Sequence, residues 1–182
     1  MSEQMEARNT FTNYPHALYA TEVKFQPAYQ PSGRFTEQKV YFSAKHKLFR
    51  LKIECSVAPP GVTVDVSDHS PGSTSDLTMK IDQLSIHHQM LRKEDRSTPE
   101  IGGKSTQFTQ MWAALADKGY QGAGRMLRTI QPKKHLRGGT LDHDDIARNR
   151  AVSADRVLVE NFFGRMCMLW KATYATFQWS EN

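Results

Sequence analysis

In the stretch AALADKGYQG, residues 113–122, a short apolar run ends in Asp117 and breaks at once on Gly119 and Gly122. A carboxylate at the end of a buried strand is costly unless it is paired or bound to a metal. Glu160 lies in SADRVLVENFFGR, with Arg156 four residues before it on the same helical face. Two readings stand for that pair. It is either an ordinary i,i+4 ion pair worth roughly 0.3–0.5 kcal/mol, or Glu160 turns back to the sheet and shares a divalent ion with Asp117. Hard cations such as Mg²⁺ take oxygen ligands, and two of them about 3.5–4 Å apart suit in-line displacement at a phosphodiester. Asp76, near a helix start, is either a fourth acidic ligand or a first-turn acid that favours the helix dipole.

Other chemical signals are weaker. IGGKST at 101–106 matches the end of a phosphate-binding loop, but position 98 is Thr98 where the first glycine belongs, and no strand pattern precedes it. His87-His88 has no helical partner four residues away, which favours a surface or core role over metal binding. Cys55 and Cys167 stand far apart without a CxxC, as expected of two small buried hydrophobes in a reducing compartment.

The elements that must position these groups follow from periodicity. Residues 1–16 carry no period and read as an irregular arm, and 17–182 as one domain. ALYATEVKFQ alternates as a strand ended by Pro27, and AYQPSGRFTEQ reads as turn and loop. The run from Lys39 to Ala58 is one or two strands, stopped at Pro59-Pro60-Gly61, with VTVDVSDHS as antiparallel partner. Ser73 or Ser75 caps a helix that carries Leu77, Ile81, Leu84, His88 and Leu91 to about Met90. WAALAD is a buried strand, and residues 125–132 form a short strand or turn. A short helix near Asp144, capped by Thr140 or Asp142, precedes a long one from Ser153 to about Tyr174. The pattern implies one α/β domain, a mixed central sheet flanked by helices.

The chain has 182 residues, 38% of them hydrophobic, a mean hydropathy of −0.61 and a net charge of +5. No apolar run is long enough to span a membrane, and the polar, acidic start is not that of a secretory signal. Between Lys118 and Arg156 nine cations face four carboxylates, an excess equal to the whole net charge. Either this is a solvated surface or it is the footprint of a polyanion such as DNA, with Lys118, Arg125, Arg128, Lys133, Lys134, Arg137 and Arg156 as candidate contacts.

ALADKGYQG, followed after a basic loop by NRAVSADRVLVENFFGRMCMLW, resembles the second and third catalytic blocks of the PIF/Harbinger-type DDE transposases of the DDE superfamily endonuclease family. Those blocks are a strand ending in Asp-x-Gly-Tyr and a helix with Arg-x-x-x-Glu and Phe-Gly-Arg. YFSAKHKLFRLKIECSVAPPGVTVDVSDHSPGSTSDL is similar to the family's Ser-x-Lys-His-Lys strand, its Pro-Gly turn and its Pro-Gly-Ser-x-x-Asp helix start. Four ordered blocks cover roughly residues 15–180. The resemblance implies an RNase H-like fold and cleavage of DNA phosphodiesters, with Glu22, Asp117 and Glu160 as catalytic residues holding two Mg²⁺ or Mn²⁺ ions. It departs from the family at the first acid, where Glu22 replaces Asp and Lys24 stands in the place of a small polar residue. The ligand is then longer and a cation shares its strand face, both of which impair a metal site. A non-catalytic DNA- or protein-binding remnant of a transposase core is therefore the alternative, and an inert remnant a third. The family's helix-turn-helix region has no counterpart before the first strand, so a separate DNA-binding protein is an expected partner, with the nucleus or cytoplasm as location.

Overall fold

The computed structural model describes residues 1–94, 100–135 and 139–180. In chain order its elements are α1 (Ser2–Glu6), β1 (Ala17–Pro27), α2 (Phe35–Lys39), β2 (Phe42–Ser43), β3 (Leu48–Ala58), β4 (Val62–Val66), β5 (Ser70–Pro71), α3 (Asp76–Asp82), α4 (Leu84–Leu91), β6 (Ala113–Ala116), β7 (Thr129–Ile130) and α5 (His143–Leu169). The strands form one mixed sheet in the order β2-β3-β1-β6-β7, with β4 and β5 also paired to β3. β1 runs antiparallel to β3 and parallel to β6, and β6 runs parallel to β7. This is the mixed sheet with flanking helices that the patterning implies.

β6 is AALA, buried at all four positions, as a strand between two parallel neighbours must be. Side-chain alternation divides it between two cores. Ala113 and Leu115 pack with Val152 and Val159 of α5, together with Ala20 of β1 and Val57 of β3. On the opposite face Ala114 joins Tyr19 and Leu91, while Ala116 joins Val23, Met79 and Tyr120. So α5 covers one face of the sheet, and α3 with α4 covers the other.

Several expectations need correction. The helix expected from Ser75 to Met90 is two helices, because Gln83 leaves the helical region at φ −96°, ψ 11°. Its cap is Ser75, whose Oγ accepts from Thr78 N at 3.0 Å. The two helices expected at the C-terminal end are one helix of 27 residues, capped by Asp142, whose carboxylate accepts from Asp145 N at 2.7 Å. Ser153, expected as a cap, lies exposed in mid-helix, since Val152, Asp155, Arg156 and Val159 carry a single buried stripe straight past it. The stretch expected as loop at 28–38 holds most of α2. The N-terminal arm also has structure, for it contains α1, and Phe11 enters the α5 core. Asp155 fastens that arm by accepting from Asn13 N at 3.0 Å, Asn13 Nδ2 at 2.9 Å and Tyr14 N at 3.0 Å. IGGKST forms turns with no helix opening on it, and Lys104 Nζ donates to Gly124 O at 3.0 Å.

On the α3/α4 face the strands present polar groups at full burial. His87 Nε2 donates to Glu54 Oε1 at 2.8 Å, and His87 Nδ1 accepts from the Tyr19 hydroxyl at 2.8 Å. Lys80 Nζ donates to Thr21 Oγ1 at 3.1 Å and lies 3.4 Å from Glu54 Oε1. These bonds define a neutral His87, and burial, aided by Lys80, holds its proton affinity below the usual imidazole value. Burial alone would raise the Glu54 carboxyl, but the His87 bond and the Lys80 charge outweigh it and leave it below its usual value.

The sign of the pH dependence follows. Below pH 6.5 the unfolded chain protonates His87 while the folded chain resists, and below 4.5 the same holds for Glu54, so acid favours unfolding in both windows. Melting temperature should fall as pH drops from 7 through 6.5 toward 5. His87→Leu should remove that upper window and cost about 1–3 kcal/mol at neutral pH, since Glu54 loses its donor. Calorimetry across pH measures both, and an unchanged slope in the variant would exclude His87 as its source.

Candidate acidic site and cation surface

The last pair in the parallel ladder of β1 and β6 is Thr21 with Ala116, so Glu22 and Asp117 come next, side by side where β6 ends against the middle of β1, which continues to Pro27 in its pairing with β3. Alternation puts Glu22 with Ala20, and Asp117 with Leu115, on the α5 face. This explains why a buried strand runs into a carboxylate and stops. Lys118–Tyr120 then turns as one 3-10 turn, and Gly122 adopts φ +109°, which favours glycine. Gly119 is pressed against Asp76, whose Oδ2 would lie 2.3 Å from any added Cβ.

Facing the two acids from α5 is Arg156, with 7% of its side chain exposed. Its Nη1 donates to Asp117 Oδ1 at 3.0 Å, and its Nη2 donates to Glu22 Oε2. The guanidinium thus spans two carboxylates, one from each parallel strand. Glu22 is 22% exposed and Asp117 40%. Burial lowers the proton affinity of Arg156, and the charge of Glu160 works against that lowering. Glu160 therefore acts on Arg156 electrostatically from one turn further along α5, while it is itself exposed to solvent. Lys24 shares the sheet face of Glu22, but its ammonium lies 5.8 Å from the centroid of the Phe163 ring, toward the later turns of α5. Asp76 pairs with Lys52, Nζ to Oδ1 at 2.9 Å, and Lys52 also donates to Thr74 O at 2.6 Å. That ties the start of α3 to β3.

With this geometry in view the chain can be placed. The profile of the DDE superfamily endonuclease family matches residues 6–181, and the chain belongs to that family of transposase-derived nucleases. Neither a curated protein nor a solved structure matches it. The mixed α/β sheet is that of a DDE nuclease fold.

Domains of this family usually work with divalent metals. The residues as arranged do not fit such ions. Among the described residues no group of three His, Cys, Asp or Glu side chains converges to hold a metal. Two of the three expected ligands, Glu22 and Asp117, do meet, but the Arg156 guanidinium lies between them and Glu160 faces solvent. Arg156 is the residue whose role sequence reasoning did not foresee. Its spacing to Glu160 pointed to a partner on its own helix, whereas the fold offered it two acids on strands.

The candidate DNA contacts divide in the same way. Arg128 is fully buried beneath Glu100, with Nη2 on Oε1 at 2.7 Å, and it also donates to Gly103 O and Met111 O, each at 3.0 Å. Burial would raise the Glu100 carboxyl, yet Arg128, the Gly102 amide and Lys93 bring it down to about 2. Neither Arg128 nor Arg156 is a surface contact, since each charge is spent on carboxylates inside the fold. Lys118, Arg125 and Lys134 are exposed. Lys133 is exposed too but pairs with Asp145 at 2.6 Å. Arg137 lies outside the described residues. Arg148 and Arg150 are exposed on α5, and the Arg148 charge acts on both Lys104 and Lys133, so these cations lie in one another's field.

Arg128→Met should lower unfolding free energy by about 1–3 kcal/mol, because it strips Glu100 of its bidentate partner and leaves it only Lys93 and the Gly102 amide. Lys134→Ala should change stability by less than about 0.5 kcal/mol. Urea titration of both variants measures the contrast; equal costs would mean that burial does not separate these cations.

Proposed function

We propose that this chain is a PIF/Harbinger-type DDE core that holds DNA through its exposed cations and does not cut it as folded. The observation that carries the proposal is the division among the cations. Arg156 neutralises the acid pair and Arg128 is buried on Glu100, while Lys118, Arg125, Lys134, Arg148 and Arg150 remain in solvent. A DNA backbone is recognised by such a surface through phosphate contacts, without base readout. A separate sequence-reading protein would supply target choice, and a nuclear location follows from a DNA ligand. No helix among the described residues is long and apolar enough to cross a membrane.

A second reading, metal-dependent phosphodiester cleavage, is favoured by one observation: Glu22 and Asp117 reach the same cation from adjacent parallel strands. The two readings separate experimentally. On the first, duplex affinity should be sequence-tolerant and fall steeply with salt, with log K changing by about −0.9 per unit log[salt] for each phosphate neutralised. Lys134→Ala should reduce that slope by about 1, Asp117→Ala should leave binding intact, and supercoiled plasmid should stay uncut in Mg²⁺ or Mn²⁺. Nicking by the natural protein that disappears in Asp117→Ala would establish the second reading. Salt-insensitive or absent binding would remove the first.

A further inference from the structure

The acid pair poses an electrostatic problem that the fold solves in an unusual direction. Two carboxylates on adjacent strands repel unless a cation lies between them. A divalent ion would draw on both, together with further oxygen ligands. Here that place is taken by a side chain of the same chain. Arg156 projects from the buried stripe of α5, between Val152 and Val159, which pack on the sheet and set the depth at which its guanidinium lies. A guanidinium is a planar fork, so its two terminal nitrogens reach two different acids at once in a fixed geometry that the single ammonium nitrogen of a lysine does not reproduce. The inner Nε is buried and has no hydrogen-bond partner, so the group is held by its two outer nitrogens alone. Arg156 is permanently charged and permanently tethered. A soluble ion must bind from dilute solution and evict it.

We infer that Arg156 is a built-in counter-cation that replaces the divalent ion at the Glu22–Asp117 pair, and that the chain is thereby made indifferent to divalent metals. The inference deepens the reading of a non-cutting core and rests on it only for the state of the acids. Loss of DNA binding would defeat that proposal and leave this one standing.

Replacement of Arg156 by a neutral side chain of similar length should expose the acids and create a metal-responsive protein. The test is thermal unfolding with Mn²⁺ against an equal ionic strength of Na⁺, with Mn²⁺ binding followed by electron paramagnetic resonance. The natural protein should show no shift and no bound Mn²⁺ at millimolar concentration. Arg156→Met should melt lower in Na⁺ and be raised by millimolar Mn²⁺ by about 3 °C or more. Arg156→Met with Asp117→Asn should lose that response, because one carboxylate is gone. Arg156→Lys keeps a charge but lacks the planar fork that fits both acids, so it should fold and respond partially; it decides the matter if Arg156→Met does not fold. Mn²⁺ bound by the natural protein and lost in Asp117→Asn would overturn the inference. So would a folded Arg156→Met, or Arg156→Lys standing in its place, that ignores Mn²⁺.

Discussion

Everything at the candidate site depends on the parallel pairing of β1 with β6. Once Thr21 lies opposite Ala116, the chain has no choice but to bring Glu22, in mid-β1, and Asp117, at the end of β6, together on the face that α5 covers. Two carboxylates so placed demand positive charge, and the nearest buried source is Arg156. The helix therefore does two things with one stripe of residues. Val152 and Val159 bury apolar area against the sheet, and between them the guanidinium neutralises its two acids. Asp155, beside it, fastens the N-terminal arm to the same helix through hydrogen bonds from three donor nitrogens.

The opposite face of the sheet shows the same principle with different groups. Glu54, His87, Lys80, Tyr19 and Thr21 are all fully or nearly fully buried, and such a cluster is tolerable because its donors and acceptors largely meet one another. Lys80 is brought down to about 8 by burial, against the pull of Glu54. Tyr19, Thr21 and Glu54 come from the strands and Lys80 and His87 from α3 and α4, and none takes part in the acidic site, since alternation directs the strand groups away from α5. The sheet separates two charged clusters that would otherwise compete for partners.

Burial also sorts the basic residues that dominate the stretch from Lys118 to Arg156. A charge inside the fold is retained only when paired, so Arg128 and Arg156 each carry carboxylate partners. A charge on the surface needs no partner and stays available to a polyanion. A net charge of +5 thus understates how differently its members behave.

Much of this protein was legible from residue order. A period-two run marked β1, a β-rich run stopped at Pro59-Pro60-Gly61 marked β3 with β4 as its partner, the unbroken apolar text of AALA marked a buried strand, and Ser75 and Asp142 stood among the candidate helix caps. Local signals suffice there because each arises within a few residues, from side-chain alternation or from a cap and the amides it satisfies. The four ordered blocks also carried the family. What only the tertiary structure decided was which charges meet. Arg156 and Glu160 sit four apart and look like partners, yet Arg156 reaches Glu22 and Asp117, 134 and 39 residues away. Arg128, one of a basic run, proved to be a buried partner of Glu100, and His87 the bridge between Tyr19 and Glu54. Ser153 failed as a cap because the packing stripe of α5 ran through it. Ion pairs across a fold depend on which strands are neighbours, in what register, and how deep each group lies, and no local pattern encodes these quantities. Chain order determined the elements; strand pairing and depth determined which charges met.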